Sequence, residues 1–140
     1  MFLLDTNVIS ELRRPDKADR NVVAWATAIP AANFFMSAIS ILEIELGARL
    51  IARKDAAQGG VLRTWIDDQV LARFEGRILG VDTVVAQRCA QLHIPNQKAE
   101  RDALIAATAL VHGLTVVTRN VGDFEPTGVT LLNPWKPAAG

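Results

Sequence analysis

The sequence predicts an α/β protein with a parallel sheet covered by helices on both faces. Two observations carry that prediction. Short runs rich in apolar and β-branched residues recur at Phe2–Leu4, Phe34–Met36, Ile78–Val81, Leu114–Thr118 and Val129–Leu132. Between them lie longer stretches with helical, 3.6-residue periodicity, and that alternation builds parallel sheets. The scale agrees: 140 residues, 50% of them hydrophobic, suit one domain with its own core. We place that domain at 1–138, with 139–140 as a loose tail.

Each element has a local reason. Residues 2–4 form the first strand. Thr6 or Asn7 caps a short helix that runs to about Leu12 and is ended by Pro15. Asn21–Ile29 is a second helix, with Trp25 and Ile29 spaced i, i+4. Phe34–Met36, bounded by Asn33 and Ser37, is the second strand, and residues 38–54 form a long helix. Gly59-Gly60 then breaks the chain before a helix from about Val61 to Phe74. Ile78–Val81 is the third strand. Asp82 caps the next helix, which ends near His93, ahead of Pro95. Residues 98–112 form a further helix stopped by Gly113. Leu114–Thr118 is the fourth strand and Val129–Leu132 a short fifth.

Composition narrows the function classes. Fifteen basic and fifteen acidic residues give zero net charge, so a nucleic-acid partner needs a local basic patch or a metal ion. Cys89 is the only cysteine and lies in an apolar helical pattern, which reads as a small buried hydrophobe. No apolar stretch approaches the roughly 18 residues of a membrane span, and no signal peptide is evident. The expected compartment is the cytoplasm.

The chemistry lies in the acids. Asp5 stands where the first strand must leave the sheet, and ligands of open α/β sheets bind at the carboxyl ends of strands. Glu43 heads a helical stripe of Leu46, Gly47 and Leu50, a face expected to be buried; Glu45 points elsewhere, to solvent. Asp102 heads a second stripe of Ile105, Ala106 and Ala109, expected to pack on the sheet. After the fourth strand, Thr118-Arg119-Asn120-Val121-Gly122-Asp123-Phe124 crowds polar groups at the same rim. Each acid alone has an ordinary explanation as a cap, a helix-end charge or a turn former. Together they point to a site.

Two carboxylates about 5 Å apart repel by roughly 3 kcal/mol at an effective dielectric of 20. Three or four need neutralisation, and no lysine stands obviously among them. A hard divalent cation, Mg²⁺ or Mn²⁺, suits an all-oxygen site. Such a site supports hydrolysis at phosphorus. His93 and His112 lack metal-binding spacing, and no Gly-rich phosphate loop occurs.

Four segments in order resemble the PIN-domain nucleases: Leu4-Asp5-Thr6-Asn7, Ser40–Gly47 around Glu43, Asp102–Ala109, and Thr118–Phe124. The resemblance is strongest to the VapC toxins of bacterial toxin–antitoxin pairs, in their FitB-like branch. Asp5-Thr6-Asn7-Val8-Ile9-Ser10-Glu11 and Asn133-Pro134-Trp135 are similar to that branch. The resemblance spans essentially the whole chain. It implies a five-stranded parallel sheet of order 3-2-1-4-5 and Mg²⁺- or Mn²⁺-dependent cleavage of RNA. It also implies a homodimer, inhibited by a cognate antitoxin through which alone DNA is contacted.

Carried over by position, the resemblance makes Asp5 and Asp102 the principal metal ligands. Glu43 would hold metal waters or a second ion. The family's fourth position is Asn120 here, so Asp123 is the candidate to supply the missing charge. Thr6, Asn7 and Arg119 adjoin the site as candidate substrate contacts; Arg13, Arg14 and Lys17 could also grip phosphates. Two rivals remain at this level. One is a catalytically silent module with the same fold. The other is a phosphorylated receiver domain, which would want adjacent acids after the first strand, where this chain has Thr6 and Asn7.

Overall fold

A computed structural model describes residues 1–137. Five strands, β1 (Phe2–Leu4), β2 (Phe34–Ser37), β3 (Ile78–Leu79), β4 (Thr115–Val117) and β5 (Leu131–Leu132), pair in parallel in the order β3-β2-β1-β4-β5. The expected order is therefore correct. Phe2 lies beside both Phe34 and Thr115, and Val117 beside Leu132. β1 and β4 are neighbours, so the segments that follow them leave the sheet side by side. The expected 139–140 tail lies outside the described residues.

Alternation along the central strands divides the core. Leu3 and Val116 point into one cluster with Val85, Ile105 and Phe124. Leu4 and Val117 point into the other, with Val8, Met36, Ile66 and Val70. All four central-strand residues are buried, as expected for a sheet covered on both faces. Trp25 joins the second layer, its ring 5.3 Å from Phe2 and 5.4 Å from Phe34.

Several boundaries differ from the sequence reading. α1 (Thr6–Glu11) is capped by Asp5 itself, whose side chain accepts the Thr6 N–H. α2 (Arg20–Thr27) starts on an Asp19 cap and stops two residues before Ile29. α3 spans Ala38–Lys54 as expected. The break after it falls at Asp55, which ends α3 and caps α4 (Ala56–Trp65). Gly59 and Gly60 thus lie inside a helix. The reason is close packing: a Cβ on Gly59 would stand 2.5 Å from the Ala52 Cβ of α3. α4 continues through a π-helical turn at Ile66–Leu71.

α5 (Thr83–Leu92) begins on the expected Asp82 cap. α6 (Glu100–His112) ends on Gly113 at φ 68°, a left-handed position that suits glycine. α7 (Val121–Phe124), a single turn after β4, is an element that the sequence reading did not assign. β3 and β5 are two residues each, shorter than expected, and Val81 is exposed. No helix among the described residues is long and apolar enough to cross a membrane.

Candidate functional site

Asp5 is 6% exposed, yet it carries an ionisable carboxyl. Its position follows from the chain: β1 ends at Leu4, and Asp5 must cap α1 while its N–H still bonds the Val117 carbonyl of β4. The carboxylate is well supplied with donors. Thr6 N–H reaches Oδ1 at 2.8 Å, and the Thr118 hydroxyl reaches Oδ2 at 2.8 Å. Asn7 Nδ2 adds a 3.3 Å contact to Oδ2. Burial nevertheless pushes the Asp5 carboxyl above the usual range. Thr118 and Thr6 oppose that rise, while Glu43 and Asp123 add to it.

Asp102 lies in the first turn of α6, at the head of the expected stripe. Ile105, Ala106 and Ala109 are buried, so this face packs as predicted. Burial raises the Asp102 carboxyl first; repulsion from Asp5, Asp123 and Glu43 raises it further. Four carboxylates from four segments therefore feel one another at one rim of the sheet. Asp123 belongs to α7 and is exposed, and its N–H bonds the Asn120 carbonyl at 3.0 Å.

Glu43 reaches the rim from α3. Thr6 Oγ1 donates to its Oε1 at 2.7 Å, which ties α3 to the start of α1. The expected reason for its inward placement is wrong, however. Leu46 and Leu50, with Leu42, are exposed, and α3 buries Ser40, Ile44 and Ala48 instead. Glu43 flanks that buried stripe. Glu45 does not simply face solvent: Arg63 of α4 holds both its oxygens, at 2.7 and 2.8 Å.

Polar side chains knit the β1 and β4 exits together. Thr118 is fully buried and accepts from Asn7 Nδ2 at 3.3 Å and from Asn120 N–H at 3.0 Å. Asn7 Oδ1 accepts the Arg119 N–H at 3.3 Å. The Arg119 guanidinium stacks 5.3 Å from the Trp135 ring centroid, at the edge of the site. Asn120 and Asp123 both sit beside this lattice, Asn120 through its backbone. Arg13 stacks instead on Trp65, 6.0 Å away, on a separate apolar cleft of about 480 Å³.

Two residues escaped the sequence reading. Thr118 was visible in its motif, but nothing marked its hydroxyl as an Asp5 donor. Arg101 precedes Asp102 and places Nη1 3.8 Å from Glu43 Oε2, so a cation does adjoin the acids. It neutralises one carboxylate at most. The donor set fits a hard divalent cation: oxygen ligands only, mutually repelling, two of them held above their usual pKa.

One other trio could be mistaken for a metal site. Cys89, His93 and Glu100 bring one ligand atom each to within 4.8 Å of one another. His93 Nδ1, however, accepts the Lys98 N–H at 3.0 Å. The proton of the neutral ring then sits on Nε2, which faces Cys89 and Glu100 as a donor. Cys89 is buried, as its sequence context predicts.

Known proteins resemble this chain in sequence and in fold. The PIN domain model matches residues 2–125. Toxin FitB of Neisseria gonorrhoeae is 40% identical over 140 residues, covering 96% of this chain and 99% of its own. The VapC ribonuclease Y4jK of Sinorhizobium fredii is 35% identical and covers 99% of this chain and 100% of its own. Among solved structures, FitAB bound to an IR36 DNA fragment superposes with a TM-score of 0.89 at 38% identity, over 99% of each chain. With the family model matching residues 2–125 and full-length relatives at these identities, the chain belongs to the PIN domain family.

Proposed function

We propose that this protein is the toxin of a toxin–antitoxin pair, an endoribonuclease that hydrolyses RNA phosphodiester bonds with Mg²⁺ or Mn²⁺. One observation carries the reading: buried Asp5 and half-buried Asp102 each hold a carboxyl raised partly by the neighbouring acids. That arrangement is unfavourable alone and becomes favourable around a divalent cation. The full-length similarity to a protein named VapC ribonuclease supports the substrate class.

In this reading Asp5 and Asp102 would be the principal metal ligands, and Glu43 would hold the ion's waters or a second ion. The chemistry such an ion would supply is positive charge at the phosphate and a more acidic water. The chain does the positioning. Thr118, Asn7 and the Thr6 N–H fix the Asp5 carboxylate and leave about one of its roughly four lone pairs free to face a cation. Thr6 Oγ1 fixes Glu43. Asp123 adds charge that Asn120 lacks. Arg119, braced on Trp135 and on Asn7, is set to hold an RNA phosphate.

The partners follow from the same relatives. FitAB is solved on DNA, and a toxin–antitoxin complex from Klebsiella pneumoniae is 27% identical with a TM-score of 0.68. We read this chain as a cytoplasmic homodimer built on a single domain over 1–138. A cognate antitoxin holds it inactive and supplies the DNA contact.

The decisive assay incubates purified protein with structured RNAs in Mg²⁺, Mn²⁺ or EDTA, beside Asp5→Asn. Cleavage is expected only for the unsubstituted protein with metal. Cleavage that persists in EDTA or in the variant would refute the metal-nuclease reading. RNA binding without any cleavage would favour a silent module instead, with Asn120 as its mark.

A further inference from the structure

Arg101 is the one guanidinium within 4 Å of a site carboxylate among the described residues. Its placement is set by α6: it occupies the first turn, immediately before Asp102, while α3 brings Glu43 up from the other side. Glu43 has unequal oxygens. Oε1 is held by Thr6 Oγ1 at 2.7 Å, whereas Oε2 meets only Arg101, at 3.8 Å. The Arg101 side chain is 50% exposed and that of Glu43 27%.

That pair is loose. At 3.8 Å it is an ion pair without a well-formed hydrogen bond, and half-exposed pairs of this kind contribute little. A guanidinium carries five N–H donors in a planar fork matched to carboxylate or phosphate. At Arg101 that fork makes no side-chain hydrogen bond within the described structure, which leaves it available. It also stands beside the acids around which a phosphodiester would have to settle for cleavage.

We propose that Arg101 exchanges partners: it is the counter-ion of Glu43 in the free protein and a phosphate ligand in the RNA complex. The proposal rests on the ribonuclease reading and adds to it a positioning residue outside the acid set. In the free state Arg101 competes with a divalent cation for Glu43. On RNA binding the guanidinium turns to a phosphate, and Glu43 Oε2 is released toward the metal. Metal and RNA therefore bind cooperatively through one arginine, since each takes away the partner that holds the other back.

The test uses the full chain, with Arg101→Gln and Arg101→Lys as variants. Metal alone is read first, as the midpoint of a Mn²⁺ binding isotherm from titration calorimetry, because a ligand-induced thermal shift keeps rising with concentration. In Arg101→Gln this midpoint is expected to fall by about two- to five-fold, because the competing charge is gone. RNA is read separately, by fluorescence anisotropy of a fully 2′-O-methylated, uncleavable oligonucleotide across a salt series in EDTA. One lost phosphate contact should make the slope of log affinity against log salt shallower by about 0.7 in Arg101→Gln. Arg101→Lys should restore that slope. An unchanged Mn²⁺ midpoint, or an unchanged salt slope, overturns the exchange. The parent reading fails differently: the unsubstituted protein would then not cleave unmodified RNA in Mn²⁺ at all.

Discussion

Thr118 and Asp5, 113 residues apart in sequence, meet through a 2.8 Å hydrogen bond from hydroxyl to carboxylate. That bond joins the ends of β4 and β1 and is buried at both partners. Thr118 also accepts from Asn120 N–H and Asn7 Nδ2, so one hydroxyl serves three neighbours. Thr118→Val keeps the shape and removes the hydroxyl. Asp5 Oδ2 would then keep only the 3.3 Å Asn7 contact and the Asn120 N–H would lose its acceptor, which should cost about 1–3 kcal/mol in stability. The Asp5 carboxyl should also rise further, because the hydrogen bond that lowers it most is gone. Urea denaturation checks the first effect, and Thr118→Ser, which retains the hydroxyl, should recover most of the loss.

The raised carboxyls make a signed prediction about pH. Asp5 and Asp102 both lie above the unfolded reference of 3.8 in the folded chain. The folded state therefore keeps these protons over an interval where the unfolded state has lost them. Their contribution is fully present below about 3.8 and is lost as pH rises through the raised folded values. In EDTA, Asp102→Asn should thus gain stability relative to the unsubstituted protein as pH rises across that window, then level off. Chemical denaturation at a series of pH values measures the difference. A difference that stays constant with pH would show that Asp102 titrates as a free carboxyl.

Much of this site was legible because it depends on short-range pattern. An apolar run ending in Asp5 marks a strand exit, and the Asp102 stripe of Ile105, Ala106 and Ala109 has the period of a helix packed on a sheet. Strand order entered only through family resemblance, since no local pattern encodes which strands pair. The α3 stripe misled for a physical reason. Leu46, Gly47 and Leu50 share a helical face with Glu43, but the sheet takes the neighbouring face of Ser40, Ile44 and Ala48. Small residues there let the helix approach closely, and periodicity alone cannot rank two competing faces. Arg101 was hidden because its partner is 58 positions away on another helix.

Gly59 and Gly60 offer a matched pair of substitutions inside α4. Alanine normally stabilises a helix interior by about 1 kcal/mol over glycine. At Gly60 a Cβ meets nothing within 4 Å, so Gly60→Ala should gain about 0.5–1 kcal/mol. At Gly59 the added Cβ would lie 2.5 Å from the Ala52 Cβ and 2.7 Å from its Cα, and backbone cannot yield cheaply. Gly59→Ala should therefore lose about 1–3 kcal/mol despite its better propensity. Opposite shifts in urea midpoint are the expected result. Equal shifts would mean that α4 is not seated on α3 through this glycine.

Metal binding should be visible as stability before any RNA is added. A ligand bound only by the folded state stabilises it by about 2.7 kcal/mol at one hundred times its Kd. Mg²⁺ or Mn²⁺ should therefore raise the melting temperature of the unsubstituted protein in a concentration-dependent way. Asp5→Asn should abolish that rise together with cleavage. It should not unfold the chain, because asparagine is as good an N-cap as aspartate and can still accept the Thr6 N–H. In EDTA two effects oppose: the variant sheds a buried charge, but its Nδ2 cannot accept from Thr118 Oγ1 and Asn7 Nδ2 as Asp5 Oδ2 does, so the net change at neutral pH should stay within about 2 kcal/mol. A loss well beyond about 2 kcal/mol would show that the Asp5 carboxylate is essential to the bond joining β4 and β1. A variant that still responds to Mg²⁺ would place the cation on the remaining acids.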